Sequence, residues 1–271
     1  MKFFSFTILN LIQNVFSGIM CPLQQPSCED YKYLCPKLTE VTKCNQDGIE
    51  GYTTFRLSVV TKPNMNIQNL YALYGDVNGE TLYLPPAYQS SFNYGSNLGG
   101  VNPFIMNTYP DTKYDSWLTI GLSDGNNNND ISSIGVNFED WSEQSSLDIT
   151  NGAVFLMDPE VKIVTGNEYL LAQITVRKDS NPTVVLNVQG KTIFTNGPPS
   201  ESSWTERNIR YNLISPQIDN TRIPNGCIIW YDGCNTCMVN NGNTGVCTEM
   251  ECSTYDTLGC LRYQQNGHRL N

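Results

Sequence analysis

Ten cysteines are the side chains of this sequence best suited to chemistry, and a long cysteine-free stretch divides them into two groups. Cys234 and Cys237 form a C-x-x-C pair, which is the spacing of zinc ligands and of redox-active disulfides. Against both uses, the next pair is spaced C-x4-C, no histidine lies nearby, and turn residues surround the motif. We therefore predict structural disulfides within an N-terminal group of four cysteines and a C-terminal group of six: Cys21, Cys28, Cys35 and Cys44, then Cys227, Cys234, Cys237, Cys247, Cys252 and Cys260.

Residues 1–20 have the features of a secretory signal peptide. Lys2 precedes a short apolar stretch over residues 3–12, and Ser17 and Gly18 supply the small residues of a cleavage site. The apolar stretch is shorter than the roughly 18–20 residues of a transmembrane helix, and no later segment is long and apolar enough. We predict a secreted protein, extracellular or at a cell or virion surface, without a transmembrane span once the signal is removed.

The charge of the chain excludes one class of partner. The formal net charge is −10 and the pI is near 4.5, and lysines and arginines form no cluster. Because an acidic surface repels phosphate backbones, we do not expect nucleic acid to be a partner. Extracellular protein, glycan or a second copy of the chain are the partners that this composition favours.

Candidate catalytic residues are few. The only histidine, His268, lies close to the C-terminus, which is a poor place to position the imidazole of a Ser-His-Asp or Cys-His mechanism. A glycosidase needs only two carboxylates, but no spacing in the sequence singles out a pair. We expect a non-catalytic protein, and keep a carboxylate-based, glycan-active protein as an alternative. Its candidate carboxylates are Asp115, Asp148, Glu139 with Asp140, and Asp158 with Glu160.

The loop DGNNNND, residues 124–130, could hold a calcium ion. Oxygen-bearing side chains fall at its alternate positions Asp124, Asn126, Asn128 and Asp130, an arrangement that can wrap oxygens around a hard cation. The EF-hand pattern fails here, since Asn129 and Gly135 replace its glycine and glutamate. No cofactor is expected apart from this calcium, and the alternative is a polar strand connection.

Tyrosines crowd residues 71–109, beside many asparagines. Aromatic rings of this kind stack on sugars, although rings at alternating strand positions belong to a core instead. The candidate glycan-stacking residues are Tyr83, Tyr88, Tyr94 and Tyr109.

Short alternating segments with Gly, Asn and Pro turns fill the chain between the cysteine groups. Nine segments have the strand pattern, GYTTFRLSVV at 51–60 and YDSWLTIGL at 114–122 among them, and none has helical periodicity. We predict an all-β fold, an antiparallel β-sandwich, jelly-roll- or cohesin-like, flanked by two disulfide-rich segments. The expected domains are the signal peptide, a four-cysteine segment at 21–47, the sandwich at 48–222 and a six-cysteine knot at 223–271.

The knot resembles a known family. Cys234-Asn-Thr-Cys237, Gly242 and Cys247-Thr-x-x-x-Cys252 are similar to the pacifastin-type serine protease inhibitor module, although Val239 stands where that family has a cysteine. The resemblance implies a small three-stranded sheet with Cys234 bonded to Cys252, Cys237 to Cys247, and Cys227 left to bond Cys260. It also places an inhibitory loop at Thr248, Glu249, Met250 and Glu251, with Glu249 facing the protease's primary pocket.

The middle of the chain resembles an uncharacterised secreted module of algae, oomycetes, marine microbes and large DNA viruses. The segments LYALYGD, YDSWLTIGLSDG, SSIGVNF and NGAVFLMDP carry this resemblance, which covers about residues 50–215 and implies no catalytic residues. We expect a secreted, non-catalytic structural or adhesive protein of a cell surface, matrix or virion. Serine protease inhibition and carbohydrate binding are the alternatives.

Overall fold

The computed structural model describes residues 23–42, 48–77, 81–91, 93–158, 166–194, 200–216, 223, 226–250 and 259–263. The described residues form two compact units, a larger one within Pro22–Gln217 and a smaller one within Ile218–Asn271. The predicted signal peptide and residues Cys21, Cys44, Glu160, Glu251 and Cys252 lie outside the described residues.

Eleven strands build the described part of the larger unit. They are β1 (Leu34–Glu40), β2 (Tyr52–Thr61), β3 (Ile67–Gly75), β4 (Leu82–Leu84), β5 (Trp117–Leu118), β6 (Ile131–Ile134), β7 (Leu147–Ile149), β8 (Gly152–Leu156), β9 (Glu168–Arg177), β10 (Thr183–Phe194) and β11 (Ser200–Asn212). One short helix, α1, spans Pro103–Thr108, and 3-10 turns span Pro110–Tyr114, Gly125–Asp130 and Phe138–Asp140.

These strands form two sheets. The first has the order β1-β2-β9-β5, and the second has the order β6-β8-β3-β10-β4-β7 with β11 paired to β10. Neighbouring strands pair antiparallel throughout. The predicted all-β, antiparallel sandwich-like fold is confirmed.

The alternation of β2 and β9 explains the core. Phe55 pairs with Ile174 and Leu57 with Ala172, and these side chains belong to the single large apolar cluster of the unit. Thr54 and Ser58 point to the opposite face, and they are buried as well. The sequence predicted a half-buried strand here, whereas both faces are covered, because residues 113–115 lie over the outer face.

The segment 114–122 differs from its prediction as one long strand. Only Trp117 and Leu118 form a ladder with β9. The chain then follows β9 irregularly, with the N–H groups of Thr119 and Gly121 donating to the carbonyls of Leu171 and Leu170. Gly121 has a positive φ of 81°, which breaks the extended backbone.

The smaller unit contains a four-stranded sheet. Its strands are β12 (Cys227–Tyr231), β13 (Thr236–Asn240), β14 (Asn243–Cys247) and β15 (Gly259–Tyr263), in the order β14-β13-β12-β15. Asn241 and Gly242 join β13 to β14 with φ of 50° and 78°, the paired positive φ values of a type I′ hairpin turn. Among the described residues of this unit the buried apolar cluster is small: it contains Ile223, Cys227, Trp230 and Cys237.

Disulfides occur in both units. Cys28 bonds Cys35 in the larger unit, and Cys227–Cys260 and Cys237–Cys247 staple the smaller one. The last two are two of the three pairings that the inhibitor resemblance implied, and the third, Cys234 with Cys252, includes a residue outside the described ranges. Cys234 is also disulfide-bonded.

Helices of the described ranges are all too short or too polar to cross a bilayer.

Candidate functional site

Residues 87–130, here called the cover segment, form the first candidate region. The segment contributes β5 to the edge of the first sheet, its residues 113–115 lie over side chains of β9, and it contains α1 and two of the 3-10 turns. The N–H of Tyr88 donates to the carbonyl of Thr175 on β9 at 2.8 Å, and Gly99 and Leu118 are joined by a further backbone hydrogen bond. Four predicted sites therefore lie on or beside this segment: three tyrosines and the calcium loop.

A polar ladder on β2 and β9 explains how the cover segment is held. Thr54 and Thr175 share a 2.8 Å hydrogen bond, and Arg56 Nε donates to Gln173 Oε1 at 3.1 Å. Gln173 Nε2 in turn donates to the carbonyls of Lys113 and Asp115 at 2.9 and 2.8 Å. Since these buried groups are satisfied by backbone of the cover segment, their role is structural.

Asp115 is a buried carboxylate at the centre of the cover segment. Its two oxygens accept the N–H groups of Ser90 and Ser96 at 2.7 and 2.6 Å. A side chain at Gly95 would come within 2.8 Å of Asp115 Oδ2, which accounts for the glycine there. Burial raises the pKa of Asp115 to about 6, against the lowering effect of these hydrogen bonds. The carboxylate ties residues 90–96 to the start of β5.

Arg56 is the cationic group beneath the cover segment. Its guanidinium lies over the ring of Trp117, with 5.8 Å between the Cζ atom and the ring centroid, and Nη2 donates to the carbonyl of Ser123 at 3.3 Å. Burial lowers the pKa of Arg56, and the nearby Asp124 carboxylate opposes that effect. This arginine packs the end of the cover segment against the sheet.

The predicted calcium loop folds as a 3-10 turn. Asp124 caps it, with Oδ1 accepting the N–H of Asn126 at 3.0 Å. Asp130 is exposed at the other end of the turn. Within the described ranges, no three His, Cys, Asp or Glu side chains are grouped to hold a metal ion. Calcium at Asp124, Asn126, Asn128 and Asp130 stays a prediction.

Two of the four candidate tyrosines are brought together. The rings of Tyr94 and Tyr109 stack with 3.8 Å between their centroids and an angle of 24° between their planes. The Tyr109 hydroxyl donates to that of Tyr94 at 3.1 Å, and this bond raises the pKa of Tyr109. Because each ring covers one face of the other, only their outer faces remain for a sugar, and glycan binding stays a prediction.

The other two candidate tyrosines lie apart from that stack. Tyr88 meets Tyr52 edge-on at 5.9 Å, while Tyr83 lies on β4 of the second sheet between Val185 and Asp148. Tyr52 also donates to Glu143 at 2.6 Å. Residues Tyr52 and Glu143 were not predicted, because no spacing signal links positions 91 residues apart.

The candidate carboxylates have local structural partners. Glu139 and Asp140 lie in the 3-10 turn that Asn137 caps, and Asn137 Nδ2 donates to Asp140 Oδ2 at 2.8 Å. Asp148 accepts the hydroxyl of Ser146 at 3.1 Å. These contacts explain why acidic residues occur in turns here, and the carboxylate-based alternative stays a prediction.

The loop after β14 is the second candidate region. Asn235 braces it, since Asn235 Oδ1 accepts the N–H of Met250 at 2.8 Å and the hydroxyl of Thr248 at 3.1 Å. The N–H of Thr236 also donates to Thr248 Oγ1 at 3.0 Å. Thr248, Glu249 and Met250 are exposed. The C-N-T-C segment thus holds residues 248–250 of the predicted inhibitory loop in a defined, accessible shape.

Exposed apolar side chains are concentrated on the smaller unit. Five of the eleven large hydrophobic residues that are exposed in the described ranges belong to it: Met238, Val246, Met250, Leu261 and Tyr263. Met238 is 67% exposed and Val246 is 78% exposed. Cys237 and Cys247 are register partners, and the register shifts before the next pair, Val239 and Thr244. Met238 and Val246 therefore lie at this irregularity of the hairpin.

No protein-family model matches this chain, and no curated protein or solved structure is significantly similar to it.

Proposed function

We propose that this chain is a secreted, non-catalytic structural or adhesive protein of a cell surface, matrix or virion, and that it associates with further copies of itself through β14. The observation that carries the proposal is the edge position of β14 among the described strands of its sheet, together with the exposure of all five of its residues.

An exposed edge strand presents unpaired N–H and C=O groups to a second strand. Soluble proteins usually protect such edges with lysine, proline or a covering element. The sequence of β14, Asn-Thr-Gly-Val-Cys, contains no charged residue and no proline. Antiparallel pairing of two β14 strands would extend the four-stranded sheet across two copies, as in β-strand addition.

The apolar side chains beside this edge favour the same contact. Met238 on β13 and Val246 on β14 lie at the irregularity of the hairpin and are mostly exposed. Pairing across β14 would bury part of the Val246 side chain against the second copy, which stabilises association in proportion to the apolar area removed from water. The disulfide between Cys237 and Cys247 holds the hairpin in the shape required for pairing.

Light scattering of the full chain with the Val246→Lys variant tests the proposal. A lysine at this edge position should repel a second copy, so we expect the wild type to associate as its concentration rises and the variant to remain monomeric. Phe104→Lys is the matched control, because Phe104 on α1 of the larger unit is also 78% exposed. A wild type that is monomeric at every concentration and salt level, or a variant that associates as well as the wild type, contradicts the proposal.

Serine protease inhibition is the second candidate, and the bracing of the 248–250 loop by Asn235 supports it. The full chain should then slow at least one protease of a panel that includes acid-preferring enzymes. Asn235→Ala, which removes both braces, should weaken the inhibition at least tenfold, while Asn243→Ala in β14 should not. Absence of slowing across the panel dismisses this function without affecting the self-association proposal.

A further inference from the structure

Tyr94 and Tyr109 have a geometry that neither self-association nor inhibition uses. The two rings are nearly parallel, with 3.8 Å between centroids, and their hydroxyl oxygens are 3.1 Å apart. The rings are therefore stacked head to head. The ortho carbons, which flank the hydroxyl-bearing carbon of each ring, therefore lie at the stacked ends of the two rings.

The surroundings of the pair fix this stack at the surface. Tyr94 lies in the 90–96 segment, which Asp115 holds at both ends through Ser90 and Ser96. Tyr109 follows α1, and its N–H donates to the carbonyl of Ile105 at 2.8 Å. Tyr109 is 42% exposed, so an oxidant in solution can reach its ring.

We propose that Tyr94 and Tyr109 are a site of oxidative cross-linking, at which a peroxidase acting with hydrogen peroxide couples the two phenols into an intramolecular dityrosine. Each phenol loses one electron and one proton to give a phenoxyl radical. The two radicals join through a carbon–carbon bond between ortho carbons, and each ortho hydrogen then moves to the ring's oxygen, which restores both phenols. The two hydrogen atoms removed reduce one hydrogen peroxide to two water molecules.

Proximity and orientation make this pair the preferred site. Radical coupling requires two rings that meet before either radical is quenched, and a stack held in place supplies that meeting without diffusion. The contact between Tyr52 and Tyr88 is a built-in comparison, since those rings meet edge-on at 5.9 Å. The Tyr52 hydroxyl is also engaged by Glu143.

The cross-link would close the loop between residues 94 and 109. It would restrain this part of the cover segment in the way that a disulfide restrains the loop it closes, without a thiol. Cross-linking of this kind is a property of the larger unit and does not depend on whether β14 pairs between copies.

Oxidation of the full chain by peroxidase and hydrogen peroxide tests the site. Reaction at low protein concentration favours intramolecular coupling, and dityrosine fluorescence with peptide mass spectrometry identifies the product. We expect a monomer that has lost two hydrogen atoms and yields a linked peptide joining residues 94 and 109. Tyr94→Phe and Tyr109→Phe should each remove more than nine-tenths of the monomer's dityrosine signal.

Tyr88→Phe is the matched control and should leave the signal unchanged. Phenylalanine retains the ring, and a thermal unfolding curve for each variant shows that it is folded. The proposal is overturned if the wild type forms no dityrosine, if dityrosine appears only in covalent dimers, or if the linked peptide joins other tyrosines.

Discussion

Asp115 is the residue whose environment departs furthest from that of a surface carboxylate. It is 1% exposed and accepts two backbone N–H groups, and burial still raises its pKa to about 6 from 3.8. The folded state therefore binds a proton more tightly than the unfolded state does. This group's contribution to stability is fully present below about pH 4 and is lost as the pH rises through 6, a change of roughly 3 kcal/mol for a shift of this size.

Comparison of wild type with Asp115→Asn isolates that contribution. The variant cannot titrate at this position. Between pH 4 and pH 7, the unfolding free energy of the wild type should therefore fall relative to that of the variant. Urea denaturation at several pH values measures this difference. A difference that is constant over the interval, or one that favours the wild type as the pH rises, contradicts the assignment.

The hairpin of β13 and β14 is the element on which the proposed function depends. Its sheet encloses a core of few residues, so the Cys237–Cys247 bond across the hairpin carries much of its stability. We expect the free energy of unfolding of the smaller unit to fall by about 2–3 kcal/mol in the double variant Cys237→Ala with Cys247→Ala. This is the contribution typical of a disulfide that closes a loop of this length.

Amide hydrogen exchange checks this expectation, since protection should fall in β12–β14 while β9 and β10 of the larger unit exchange as in the wild type. The double variant should also lose self-association, because its edge strand is no longer held in place. Unchanged protection in β13 would show that the hairpin does not depend on the bond.

At the same scale, strands with clear alternation could be predicted from the sequence, and strands defined by distant partners could not. The segment EYLLAQITVR coincides with β9 at Glu168–Arg177. The prediction of a single strand at 114–122 was wrong, because the course of this segment depends on β9. Gln173 of β9 is hydrogen-bonded to Asp115, 58 residues away in the sequence. The short strand β1 was not predicted at all, because Pro36 and the nearby cysteines obscure its alternation.

Across the whole molecule, some features of the candidate sites could likewise be predicted from the sequence, and others could not. The pairings of Cys227 with Cys260 and of Cys237 with Cys247 followed from a resemblance in spacing. The stacking of Tyr94 on Tyr109 could not be derived, since both residues were merely members of a tyrosine-rich segment. The edge position of β14 depends on the order of strands in its sheet, which sequence alone does not reveal.

Net charge gives the proposed association a dependence on salt. Copies that each carry a formal charge of −10 repel one another. At physiological ionic strength, salt screens this repulsion between charges more than about 8–10 Å apart. Since the contact at β14 is uncharged, we expect association to strengthen from low to physiological salt. A salt titration monitored by light scattering measures this, and association that weakens with salt would point to an ionic contact instead.

The most direct test of self-association through β14 is amide hydrogen exchange of the full chain at low and at high protein concentration. If two β14 strands pair, the amides of Asn243–Cys247 should become protected as concentration rises, at least tenfold at the outward-facing positions, and Val246→Lys should abolish the change. Exchange in β14 that is the same at both concentrations, while light scattering detects an oligomer, would place the contact elsewhere on the molecule and contradict the proposal.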